Sequence, residues 1–256
     1  EGDRMPGSPL IICEAAEAHA KGHYEAVFVN IDQAHHQQLT VALQEKNYSA
    51  ARTIHGDSRE VLKQIHKKLN EPITVFLYMD PFGLKDVSFD LIRPFIKRSP
   101  QYSTELLINL QTPVLHRLAA RDAENPDSTQ IKKFHEILTR VLGGDYWKAA
   151  LLTEDLSTKE REEMIVAGYR KLLASTNYLV YTGACPVQES RDSRTKYYMI
   201  FASRHPDAIE LINDRMIGAV EKHMNERELR GTLFADMTWQ AWRNPDEVKG
   251  IALRHV

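Results

Sequence analysis

Hydrophobic positions along this chain come in short β-branched and aromatic runs separated by longer, mixed stretches. Ala26-Val27-Phe28-Val29-Asn30-Ile31-Asp32, Ala51-Arg52-Thr53-Ile54-His55-Gly56-Asp57 and Ile73-Thr74-Val75-Phe76-Leu77-Tyr78 are three such runs. They predict strands at 24–32, 50–56 and 73–79, buried and parallel because their apolar character is nearly continuous. Helices are expected between them, at 9–21, 33–46 and 58–69. Ser8-Pro9 reads as an N-cap and first-turn pair for the first, which Gly22 closes. Asp57-Ser58-Arg59-Glu60 resembles a capping box opening the third. A helix at 88–98 and a strand at 105–109 continue the rhythm. Regular alternation with short connections predicts an α/β fold with a doubly wound sheet.

The rhythm breaks at Thr112-Pro113. From 113 to 175 only helical patterns appear, interrupted at Glu124-Asn125-Pro126-Asp127 and Gly143-Gly144-Asp145. This stretch is too long for a crossover helix, so 112–176 reads as a helical insertion. Strands return at 178–182 and 195–203, joined through the polar loop 189–194 as an antiparallel hairpin. A helix over 207–225 closes the core, which comprises 1–111 and 177–225. The extension 226–256 carries Trp239 and Trp242, which either anchor a partner or close the core.

At 256 residues and 43% hydrophobic content the chain can bury a sizeable core. A formal net charge of −2 gives no global attraction to nucleic acid, so such binding needs a local basic patch. Cys13 and Cys185 are far apart in no metal-like spacing, which predicts no zinc or iron–sulfur site and fits a reducing, cytoplasmic setting. His35-His36 reads as a surface pair on a helix. No segment approaches a membrane span and no signal peptide is evident. Because the chain opens on Glu1 rather than methionine, natural residues are expected before it.

Three strands end in an acid: Asp32, Asp57 and Asp80. Open α/β sheets place their ligand crevice at the strands' carboxyl ends. Asp32 could accept both hydrogen bonds of a ribose diol, and Asp57, followed by Ser58, could accept from an adenine amine. Asp80 and the Pro81 carbonyl could hold an exocyclic amine, with Phe82 stacking on a ring and Gly83 allowing close approach. Each acid also has a plainer reading. Asp32 and Asp57 precede helices, where aspartate is a preferred N-cap, and Asp80-Pro81 is a common turn opener.

Gly7-Ser8-Pro9-Leu10, Ile31-Asp32, Gly56-Asp57-Ser58, Asp80-Pro81-Phe82-Gly83-Leu84, Ile108-Asn109, Gly143-Gly144 with Trp147, and the run from Tyr197 through Arg204-His205-Pro206 occur in a telling order. Over about residues 7–216 the chain resembles the three-Cys-motif partner (TcmP) proteins, which look like class I S-adenosylmethionine-dependent methyltransferases. The resemblance implies a Rossmann-like, seven-stranded sheet with an antiparallel last strand. It implies S-adenosylmethionine as cofactor, held at Gly7, Ser8, Asp32, Asp57 and Ser58, and an acceptor site at Asp80, Pro81, Phe82 and Gly83. It also implies a partner protein bearing three cysteines. Related adenine amino-group methyltransferases carry Asp or Asn, Pro, Pro and an aromatic residue; here Phe82 and Gly83 depart from that motif. The family's first strand and glycine-rich loop precede Gly-Ser-Pro and are expected ahead of Glu1.

Three functions follow as expectations. The first is methyl transfer to an amino group, with nucleic acid as the substrate class and Arg93, Lys97, Arg98, Arg191, Arg194 and Lys196 as phosphate contacts. The second is a methyltransferase-like binding module or scaffold without turnover. The third is a metal-dependent nuclease using Asp57 and Asp80.

Overall fold

The structure is a computed structural model that describes residues 7–69, 73–80, 88–99, 102–119, 128–176, 179–189 and 193–229. Its chain divides into two compact units, one within Glu1–Ile73 with Leu91–Phe95, the other within Thr74–Asp90 and Ile96–Val256.

The first unit contains α1 (Ser8–His19), β1 (Ala26–Asn30), α2 (Gln33–Glu45), β2 (Ala51–His55) and α3 (Ser58–Lys68). β1 and β2 run parallel, from Ala26 beside Ala51 to Asn30 beside His55. Asn47, at φ 57°, takes the left-handed turn that ends α2 and lets Tyr48 N–H return to Leu43 O. The Thr40 and Thr53 hydroxyls, 2.6 Å apart, tie α2 to β2. Two N-terminal details differ from expectation. Gly7, not Ser8, caps α1 without a side-chain bond. Asp57 caps α3 through Arg59 N–H, but Glu60 turns away to Lys63, so no reciprocal box forms.

The second unit contains β3 (Val75–Met79), β4 (Thr104–Leu110), α5 (Thr112–Ala119), α6 (Thr129–Leu142), α7 (Trp147–Leu151), α8 (Thr158–Ala174), β5 (Tyr181–Gln188), β6 (Thr195–Ser203) and α9 (Pro206–Leu229). Helix α4 (Phe89–Ile96) lends its middle to the first unit. The strand order is β3-β4-β6-β5, with β3 parallel to β4 and β6 antiparallel to both β4 and β5. Leu106, Ile108, Leu110, Ile200 and Ala202 are fully buried or nearly so, as are Leu115, Leu138, Trp147, Ile165 and Tyr169 on the helices. Buried Glu162 accepts the Thr112 hydroxyl at 3.0 Å, which offsets part of the cost of a carboxylate inside.

The fold is therefore mixed α/β, as expected, but its described strands form two sheets rather than one. The hairpin is present with its second strand where expected. Its first strand lies three residues further on, at Tyr181–Gln188, and is longer than the 178–182 run. Gly183 and Pro186 disguise it, and as an edge strand of the four among the described residues, paired with β6, it tolerates a proline. The interruption at Gly143-Gly144-Asp145 separates α6 from α7, with Gly143 left-handed at φ 73°. The Glu124–Asp127 interruption and the 226–256 extension with its tryptophans lie outside the described residues, apart from the end of α9.

Candidate functional site

Asp80 follows β3 directly and is exposed. The register that sets Met79 beside Ile108 sets Asp80 beside Asn109 on the neighbouring strand. Alternation then gives Tyr78, Asp80, Asn109 and Tyr197 the same face of the sheet. The Asn109 amide donates to Asp80 Oδ1 at 2.8 Å and to the Tyr78 hydroxyl at 3.2 Å. Burial, then the Asp80 charge, pushes both Tyr78 and Tyr197 above the usual phenol range. The arrangement is an outward-facing carboxylate gripped from behind by a buried amide and bordered by two tyrosines. It can accept hydrogen bonds from a ligand bearing N–H groups. Pro81, Phe82 and Gly83, expected to complete this site, lie outside the described residues.

In the first unit, Asp32 caps α2 by accepting His35 N–H at 2.8 Å. That bond holds its carboxyl below the usual carboxylate range. About half of the side chain (53%) stays exposed, so a further donor can still reach it. His35 stands outside at 3.4 Å. His36 is not a surface residue like its neighbour: it is half-buried, its ring tilted against His55 at 5.5 Å between centroids. Asp57 is differently placed. Arg59 reaches both of its oxygens, and the guanidinium bonds, with the Arg59 N–H, hold its pKa down at about 2. An adenine amine would have to displace that cation. Ser58 begins α3 half-buried, and Gly7 precedes α1 in extended conformation.

The basic residues divide as well. Arg98 is a correction: only 6% exposed, it bonds inward to Ser103 O and Thr104 Oγ1 and lies over the Tyr102 ring, so it is not at the surface to meet phosphate. Lys196 is paired with Glu189 at 2.7 Å. Arg93, Lys97 and Arg194 are exposed, and Arg191 lies outside the described residues.

Among the described residues no group of three or more His, Cys, Asp or Glu side chains is placed to hold a metal ion. No helix among them is long and apolar enough to cross a membrane. The residues that sequence reasoning missed are Tyr78, Asn109 and Tyr197. Asn109 and Tyr197 stand in segments that carry the resemblance, and Asn109 is also a polar residue inside the apolar run Leu106-Leu107-Ile108-Asn109-Leu110, whereas Tyr78 only closes the apolar run of a predicted strand. Compared with known proteins, the chain matches no family model, no curated protein and no solved structure.

Proposed function

We propose that the chain is a class I methyltransferase-like domain, of Rossmann-like kind, that binds an amine at Asp80, with a nucleic-acid base as the first substrate class to test. The observation that carries this reading is the exposed Asp80 carboxylate, held by Asn109 at the carboxyl end of β3. The antiparallel β6 between β4 and β5 supports it, because the sequence resemblance implies such a last strand.

Bound S-adenosylmethionine would supply an electrophilic methyl group. The chain's own part is to orient the amine: Asp80 accepts its N–H and leaves the nitrogen lone pair available for attack. Transfer of that methyl would break its bond to the sulfonium sulfur, which would leave as a neutral thioether, and the proton then shed by the amine would have a route to solvent along the exposed Asp80 carboxylate. Asp32 in the first unit has the exposure to take a ribose hydroxyl. Asp57 contributes to this reading only if Arg59 moves.

Calorimetric titration of S-adenosylmethionine into the protein, with S-adenosylhomocysteine as control, tests the cofactor half. Binding that is lost in Asp32→Ala is expected; absence of binding removes the methyltransferase reading. Transfer of labelled methyl to RNA or DNA oligonucleotides, abolished in Asp80→Ala, tests the acceptor half.

The Asp57–Arg59 pairing, which occupies one of the acids expected to hold the cofactor, favours a second reading, a methyltransferase-like scaffold without turnover; its three-cysteine partner protein is what the resemblance implies. Cofactor binding with no turnover on any nucleic acid supports it, and any methyl transfer excludes it.

A further inference from the structure

Asn109 is 5% exposed, yet it occupies the strand most enclosed by hydrophobic residues. The orientation of its amide follows from chemistry. The atom 2.8 Å from Asp80 Oδ1 must be the nitrogen, because a carboxylate has only lone pairs to offer. Both amide hydrogens are then committed, one to Asp80 and one to the Tyr78 oxygen. The Asn109 oxygen, turned the other way, is buried and finds no hydrogen-bond partner among the described residues. A buried acceptor left unmade carries its full desolvation cost. An apolar residue of the same shape would not carry it. Asparagine is therefore a poor choice for stability at this position and a good one for holding two polar groups on the exposed side of the sheet.

We infer that Asn109 is a positioning residue: its amide clamps the Asp80 carboxylate and the Tyr78 hydroxyl together, so that the site selects ligands that donate N–H and rejects those that present a carbonyl. This rests on the amine-binding reading of Asp80. Because the amide nitrogen uses one oxygen of Asp80 from behind, the carboxylate's outward lone pairs have a fixed direction. Accepting from Asn109 also turns the Tyr78 hydroxyl hydrogen away from the amide, toward the acid whose charge its ring already feels. Tyr197, half-buried on the same face, borders the other side.

The test uses residues 1–256 with Asn109→Leu, Asn109→Asp and Asp80→Asn, and two probes, adenosine and 6-methoxypurine riboside, which set an amine against an oxygen acceptor on a base with no N–H. Binding is followed by ligand-observed NMR, and Tyr78 ionisation by NMR of its labelled ring. Wild-type protein is expected to bind adenosine at least tenfold better than 6-methoxypurine riboside. Asn109→Leu should lose that preference while melting no lower than wild type, since it removes the orphan oxygen. Asn109→Asp should regain it on acidification, when one proton shared between the two carboxyl groups replaces the amide hydrogen, and lose it when both ionise. Tyr78 should titrate higher in Asn109→Leu, which removes a donor to the phenolate, and lower in Asp80→Asn, which removes a negative charge.

An Asn109→Leu protein that keeps the adenosine preference while Asp80→Asn loses it overturns the inference and leaves the amine site standing. If wild type shows no preference, or Asp80→Asn keeps it, the amine reading fails. The Tyr78 titration then still decides: no movement in Asn109→Leu means that there is no clamp.

Discussion

Arg59 stands two residues beyond Asp57, and that short reach turns a helix cap into a closed ion pair. A carboxyl depressed to about 2 contributes stability above its ordinary unfolded value and loses it as pH falls through 2. The side chains are 45% and 28% exposed, so screening limits the pair to about 0–1 kcal/mol. Arg59→Ala is expected to move the Asp57 midpoint toward about 3.9, read by carboxyl-carbon NMR. An unchanged midpoint would mean that the cap bond alone depresses it. Sequence showed Asp57 as a cap and could not show the pair, because an arginine two positions into a helix has many rotamers. Asn109 was legible as part of a resemblance segment and as a polar break in an apolar run, but not as a site residue: which strand faces it, and so which acid it holds, depends on sheet register rather than local pattern.

At the scale of elements, α8 carries a glycine in its middle, where alanine would ordinarily stabilise a helix by about 0.5–1 kcal/mol. Here the Tyr146 ring lies against Gly168, and an added Cβ would collide with it. Overpacking of this kind costs about 1–3 kcal/mol, so collision outweighs propensity. Gly168→Ala is expected to lower Tm by about 2–4 °C; a raised Tm in calorimetry would show that Tyr146 moves aside freely. The helix itself was legible within the 113–175 stretch, and so were the runs behind β1 to β4. α7 was not, being only five residues long. The start of β5 was misread because Leu179 and Val180 look like strand interior, whereas ladder pairing with β6 begins at Tyr181.

For the whole molecule, alternation of strands and helices made the α/β class readable, but not the division into two sheets, since strand neighbours are chosen by long-range pairing. That division has a measurable result. In β1 every residue is only half-buried, whereas β4 buries five of its seven. Opening free energy follows such enclosure. Amides of β4 and β6 are expected to exchange with deuterium roughly tenfold or more slowly than those of β1 and β2. Equal protection would show that the two-stranded sheet is as well secured as the four-stranded one.

The position of β6 between β4 and β5 also bears on synthesis. β4 leaves the ribosome long before its partner, with α5 to α8 and β5 still to come. Through that interval its edge away from β3 presents unpaired N–H and C=O groups along the apolar run Leu106-Leu107-Ile108-Asn109-Leu110, the kind of segment that pairs with other chains. Asn109 interrupts the run as a gatekeeper. Asn109→Leu should then give a poorer soluble yield from cells even though the folded protein melts no lower, measured as the ratio of soluble to pelleted chain; an unchanged ratio would assign Asn109 no part in biogenesis.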